Sequence, residues 1–188
     1  MRRLSDALRL SSIVLFVLAF AAPRAEAVDV GDLAPNFTLR DLDGTDHTLT
    51  SYRPHPVLLM FLECDASAST SLAPLVESEI YDVYAGQELT VLGLDTRDCS
   101  LDELENFRNQ TGVEFPLLRE ADSTIGSFGV PEDSFVLIDG GGIIRYLSLG
   151  PGTSSYNVNE LRVAIEQLLR DANQTKTATW GVIKSLYN

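Results

Sequence analysis

Two thiols are the groups of this 188-residue chain best equipped for chemistry: Cys64, in Glu63-Cys-Asp-Ala66, and Cys99, in Asp98-Cys-Ser100. A cysteine pair can close a disulfide, exchange with other thiols, or ligate a soft metal, and compartment and neighbours decide which. Cys64-Asp-Ala-Ser67 also reads as a monothiol Cys-x-x-Ser site. Glu63 and Asp65 flank it, however, and adjacent negative charge raises a thiol pKa and depletes the thiolate. The histidines, His47 and His55, have no partner three or four residues away, so no metal site is expected, and nothing in the sequence calls for a cofactor.

The elements that must hold these thiols are legible from hydrophobic pattern. Val57 to Leu62 is continuously apolar, as a strand buried on both faces of a parallel sheet should be. A helix is expected over Ser69 to Tyr84, and a second buried strand over Leu89 to Leu94. Ser100 with Glu103 makes a capping box for a helix over Leu101 to Thr111. Phe115-Pro-Leu-Leu is a short edge-like segment, and Ser123 to Phe128 a helical turn. Ser134 to Ile138 and Ile143 to Leu149 pair as a hairpin through Asp139-Gly-Gly-Gly142, which opens no helix and is therefore no phosphate loop. Asn159 to Arg170 is an amphipathic closing helix. Ahead of all these, Asn36 to Leu49 alternates around a Gly44 turn as a β-hairpin. Its Asp41, Asp43 and Asp46 begin like a calcium loop, but the closing glutamate is missing and turn chemistry accounts for them.

The βαβ crossover makes the two buried strands parallel. The order as a whole specifies an α/β three-layer sandwich, with a central mixed sheet and an N-terminal hairpin. Sites in open α/β sheets form at the carboxyl ends of strands. Here that means the Glu63–Ser69 and Asp95–Ser100 loops, which hold both cysteines. Adjacent strands lie about 5 Å apart, within disulfide reach. A structural staple, an exchange-competent couple and unpaired buried cysteines all remain open.

Residues 1–27 read as a secretory signal. Arg2, Arg3 and Arg9 precede a run of ten apolar residues, Ile13 to Ala22, and Ala25-Glu-Ala27 supplies a cleavage pattern. That run is shorter than the roughly 20 residues needed to cross a bilayer. The expected organisation is a signal over 1–27, a domain over 28–170 and a tail over 171–188, the mature chain being periplasmic or secreted with no integral membrane span. Without residues 1–27, ten basic residues face 25 acidic ones, a net charge of −15. Such a surface repels phosphate backbones and anionic lipids, which excludes nucleic acid as a partner class. In the tail, Trp180, Val182, Ile183 and Leu186 have helical spacing, suited to docking on the domain or on a partner. Asn36, Asn109 and Asn173 begin Asn-x-Thr sequons, which matter only in a glycosylating source.

Taken in order, several segments resemble exported thioredoxin-like redoxins of the AhpC/TSA and TlpA-like superfamily, over roughly Gly31 to Leu169. They are Gly31-Asp-Leu-Ala-Pro-Asn-Phe-Thr-Leu39, the Asp43-Gly44 hairpin, the strand end at Phe61, Phe115-Pro-Leu-Leu118 and Phe135-Val-Leu-Ile-Asp-Gly-Gly-Gly-Ile-Ile144. The resemblance implies a thioredoxin-like fold and thiol–disulfide oxidoreductase chemistry at a Cys-x-x-Cys. Family members place the nucleophile five residues after the strand-end Phe and eight before the helix proline. Phe61 and Pro74 both put it at Ala66, and the second cysteine at Ser69. A family cis-proline would fall at Asp133, six residues before Asp139, while Pro131 stands two residues early. Alanine cannot form a mixed disulfide, so the family's standard reaction is expected to be lost. Two functions follow as expectations. One is a non-catalytic module that binds a protein or peptide partner, with Cys64–Cys99 as a structural disulfide. The alternative is an oxidoreductase working through Cys64 and Cys99.

Overall fold

The computed structural model describes residues 27–150 and 156–185, with side chains in the last helix described as far as Ala172. The expected signal segment therefore lies outside the described residues, as do the side chains of the apolar tail set. Among the described residues no helix is long and apolar enough to cross a membrane.

The six apolar residues read as a buried strand form β3 (Val57–Leu62), at the centre of a five-stranded mixed sheet. The remaining elements are β1 (Thr38–Arg40), β2 (Asp46–Thr48), α1 (Ser67–Val76), β4 (Thr90–Asp95), α2 (Leu101–Thr111), β5 (Leu117–Leu118), α3 (Asp122–Phe128), β6 (Phe135–Ile138), β7 (Ile144–Ser148) and α4 (Val158–Ser185). Strand order is β5-β4-β3-β6-β7, with β4 parallel to both β3 and β5, and β6 antiparallel to both β3 and β7. β1 and β2 form a separate antiparallel hairpin. The architecture is the expected α/β sandwich.

Alternation along β3 divides the core in two. Leu58, Met60 and Leu62 pack with Leu72 and Val76 of α1, Leu104 and Phe107 of α2, and Leu161 and Ile165 of α4. Val57, Leu59 and Phe61 pack on the other face with Phe37, Leu49 and Phe128. Helices on one side, and α3 with the N-terminal segment on the other, leave β3 no solvent-facing side, which is why it carries no polar residue. Each such side chain contributes about 1.5–3 kcal/mol on burial.

The largest boundary differences from expectation lie in α1 and α4. α1 begins at Ser67, two residues early, and gives way at Glu77–Tyr81 to a π-helical turn instead of running to Tyr84. Pro74 lacks the N–H that an α-helix needs there, and the wider turn that follows still buries Ile80 in the helix-side core. α4 continues past Arg170 to Ser185, because no glycine or proline interrupts the sequence before Gly181.

The hairpin aspartates each meet protein partners. Asp41 accepts from the Thr45 N–H at 2.8 Å and from His47 Nε2 at 2.8 Å, Asp46 pairs with Arg40, and Asp43 lies 3.3 Å from Arg108. His47 also bonds the Tyr52 hydroxyl, so Asp41, His47 and Tyr52 clasp the hairpin to the following 3-10 turn, Leu49–Tyr52. His55 lies 3.6 Å from Glu88.

Candidate functional site at the strand ends

β3 and β4 run parallel in a register that places Leu62 opposite Asp95. The chain beyond each strand end therefore emerges at the same edge. Thr96 ties the second loop to the first strand, donating through both its N–H and its hydroxyl to the Leu62 carbonyl at 3.0 Å. Cys64 and Cys99 are thereby brought face to face, and they form a disulfide across a Cα–Cα distance of 6.5 Å. Both are half-buried. Ser100 caps α2 through the expected reciprocal box with Glu103, which fixes the far side of the Cys99 loop.

Ala66 is the N-cap residue of α1 and brings no side-chain cap. At the position where the resemblance puts a nucleophilic thiol, the helix N-terminus faces a methyl group. Ser69 is fully buried. Its hydroxyl donates to Asp133 Oδ1 at 2.7 Å and accepts from the Glu63 N–H at 2.9 Å. Asp133 is itself buried and adopts a left-handed backbone, φ +57°. Pro131 is exposed, and its peptide bond is trans, the one cis bond among the described residues being Arg53–Pro54. The structure thus gives the inward position to Asp133 and leaves Pro131 outside.

One site residue escaped the sequence reading. Asp95 ends the otherwise apolar β4 and is 1% exposed. Its carboxylate accepts from the Cys99 N–H at 2.7 Å and the Arg97 N–H at 3.2 Å. A carboxylate oxygen of Asp95 and the two sulfurs all lie within 4.8 Å of one another. Burial pushes the Asp95 carboxyl up; the two N–H donors oppose this, while Asp98 and Asp65 add to it. The sequence signal was an acid closing an apolar strand four residues before a cysteine, the spacing at which a carboxylate can accept from the loop backbone. The rim is acidic as well. Glu63, raised chiefly by burial and lowered by Arg97, sits near Asp65, Glu132 and Asp133, and pairs with Arg97 at 3.4 Å.

A five-stranded mixed sheet with a disulfide at the carboxyl ends of its central strands defines a thioredoxin-like redoxin. The chain belongs to the AhpC/TSA family, whose profile matches residues 30–147. It is 32% identical over 129 residues to the thiol-disulfide oxidoreductase ResA of Geobacillus thermodenitrificans, covering 68% of this chain and 73% of that one. Against ResA of Bacillus anthracis identity is 30% over 162 residues, covering 86% and 80%. Among solved structures, a thiol:disulfide interchange protein of the thioredoxin family from Chlorobium tepidum superposes with a TM-score of 0.63 at 17% identity, over 76% of this chain and 99% of that one, a likeness of fold.

Proposed function

We propose that this chain is an exported redoxin that has given up Cys-x-x-Cys chemistry and binds a protein or peptide partner at the strand-end face, braced by the Cys64–Cys99 disulfide. The observation that carries this reading is the occupancy of the motif positions. Ala66 has no nucleophile, and the Ser69 hydroxyl is buried and engaged by Asp133 and the Glu63 N–H. The acidic rim of Glu63, Asp65, Asp98 and Glu132 suits a basic partner. Export rests on the basic, apolar and Ala-x-Ala pattern of residues 1–27.

A second reading has its own support. The disulfide is half-exposed at the edge where thioredoxin-like folds do their work, and the relatives at 30–32% identity are named thiol-disulfide oxidoreductases. In that reading an incoming dithiol reduces Cys64–Cys99 and leaves as a disulfide.

The reduction potential of the pair separates the two, measured by alkylation and intact mass across a dithiol redox series. A value below about −300 mV supports the brace, and one above about −230 mV supports exchange. Binding of a basic peptide that weakens in Glu63→Gln/Asp65→Asn supports the module. Indifference of that affinity to the substitutions argues against it.

A further inference from the structure

Asp95 stands in surroundings that a disulfide does not explain. Asp95 is 1% exposed, and its carboxylate accepts from two backbone N–H groups, those of Arg97 and Cys99. Among the described residues no cationic side chain forms an ion pair with it, and Arg97, two residues on, reaches Glu63 instead. A buried carboxylate without a countercharge is costly, and an uncharged disulfide offers it nothing in return. We infer that, when Cys64–Cys99 is reduced, the two sulfurs and the Asp95 carboxylate bind a divalent cation of the Zn2+ type, so that the strand-end face alternates between a disulfide and a metal-held dithiolate.

The geometry fits. Bond lengths of about 2.3 Å to sulfur and 2.1 Å to oxygen in a tetrahedron place the sulfurs about 3.8 Å apart and each sulfur about 3.6 Å from the oxygen. The three ligand atoms already lie within 4.8 Å of one another. The Cα separation of 6.5 Å lies toward the wide end of the disulfide range, so the freed sulfurs can part by about 2 Å through side-chain rotation. The Cys99 and Arg97 N–H groups hold the carboxylate in place, as outer-shell donors to a metal ligand do. Cys64 and Cys99 are half-buried, which leaves the fourth position to water. On binding a cation the two sulfurs give up their protons, and the thiolates and carboxylate, with Asp65 and Asp98 close by, then hold it by charge as well as by coordination. Two soft sulfurs select zinc over calcium or magnesium.

The step balances with an external dithiol as reductant. The Cys64–Cys99 S–S bond breaks and takes up the electron pair given by the dithiol. The dithiol becomes a disulfide, and its two protons pass to the freed sulfurs. The sulfurs release them as the two thiolates neutralise one dication.

The inference stands apart from partner binding and needs only that a strong reductant open the disulfide. Its test is titration of the reduced, reductant-free protein with Co2+ and then Zn2+ under anaerobic conditions. We expect one Co2+ per chain, with sulfur-to-cobalt charge transfer of two thiolates and tetrahedral d–d bands, both abolished by Zn2+. Asp95→Asn should weaken Zn2+ binding at least about tenfold while the two-thiolate band persists. Zinc should raise the melting midpoint of the reduced wild type and leave that of Cys64→Ser unchanged. If the reduced protein loses ellipticity, zinc should restore it. Absence of the charge-transfer band, equal affinity in Asp95→Asn, equal binding by the oxidised protein, or failure of zinc to refold a reduced, unfolded chain would each overturn the inference. The reduction potential, taken without metal, reports on the proposed function independently.

Discussion

The Ser69 hydroxyl donates to the Asp133 carboxylate at 2.7 Å, across 64 residues of sequence. This bond joins the two positions that, in the proposed reading, stand for the family's second cysteine on α1 and its proline ahead of β6. The two residues there fit each other. A carboxylate on a left-handed backbone, buried against the helix start, meets a hydroxyl there and would repel a thiolate. The face is built around a hydroxyl–carboxylate hydrogen bond instead of a vicinal thiol pair.

Removing the hydroxyl leaves the Glu63 N–H without its acceptor and takes a donor from Asp133. Ser69→Ala is expected to lower unfolding free energy by about 1–3 kcal/mol, read by urea denaturation with an unchanged m-value. A stability within 0.3 kcal/mol of wild type, taken as about the error of such measurements, would contradict the role given to this bond.

Restoring the motif should restore some chemistry. Ala66→Cys/Ser69→Cys places a thiol at the α1 N-terminus, where the helix dipole favours thiolate. The double variant is expected to reduce insulin disulfides faster than wild type, and Asp133→Asn added to it should increase the rate further by removing a negative charge. No gain in either variant would mean that the fold around α1 no longer supports exchange.

The disulfide closes a loop with a sequence separation of 35. Chain entropy assigns such a cross-link about 4 kcal/mol. Cys64→Ser/Cys99→Ser should therefore lower the melting midpoint by on the order of 10 °C in a domain of this size. Calorimetry of the variant beside the oxidised wild type checks it, and coincident midpoints would remove the structural role.

Asp139 anchors the β6–β7 turn by accepting from the Ile143 and Gly141 N–H groups and from Arg145. Burial pushes its carboxyl up, but these bonds outweigh burial and hold it below the ordinary 3.8. A carboxyl lowered on folding stabilises fully above its unfolded value, and that contribution is lost as pH falls through the folded value. Asp139→Asn is expected to be about 1–2 kcal/mol less stable at pH 7. The difference from wild type should shrink as pH drops from about 4 toward 2, followed by denaturation at each pH. A gap that stayed constant with pH would show that charge is not what matters there.

In the same turn, a Cβ on Gly140 would lie 1.8 Å from the Pro54 carbonyl oxygen, a backbone atom that cannot swing aside. Gly140→Ala should cost about 1–3 kcal/mol or more, whereas Gly141→Ala, whose Cβ meets at closest the Asp139 carboxylate at 3.2 Å, should cost less. Equal melting midpoints for the two variants would contradict the close approach.

The order and nature of the elements were legible in the sequence because their causes are local. Apolar runs made β3 and β4, and Ser100 and Glu103 capped α2. Local pattern erred most over the extent of α1 and α4, where a π-helical turn and the lack of an early breaker moved the ends. The shared strand-end placement of Cys64 and Cys99 put them within disulfide reach, and they are bonded, whereas the meeting of Ser69 with Asp133 and the burial of Asp95 beside the sulfurs were decided by tertiary structure. Ser69 and Asp133 lie 64 positions apart, on a helix start and a loop whose own sequences carry no pairing signal. Parallel register sets Leu62 opposite Asp95 and antiparallel β6 returns Asp133 to the same edge, a consequence of how the strands pack and of nothing written at the sites themselves.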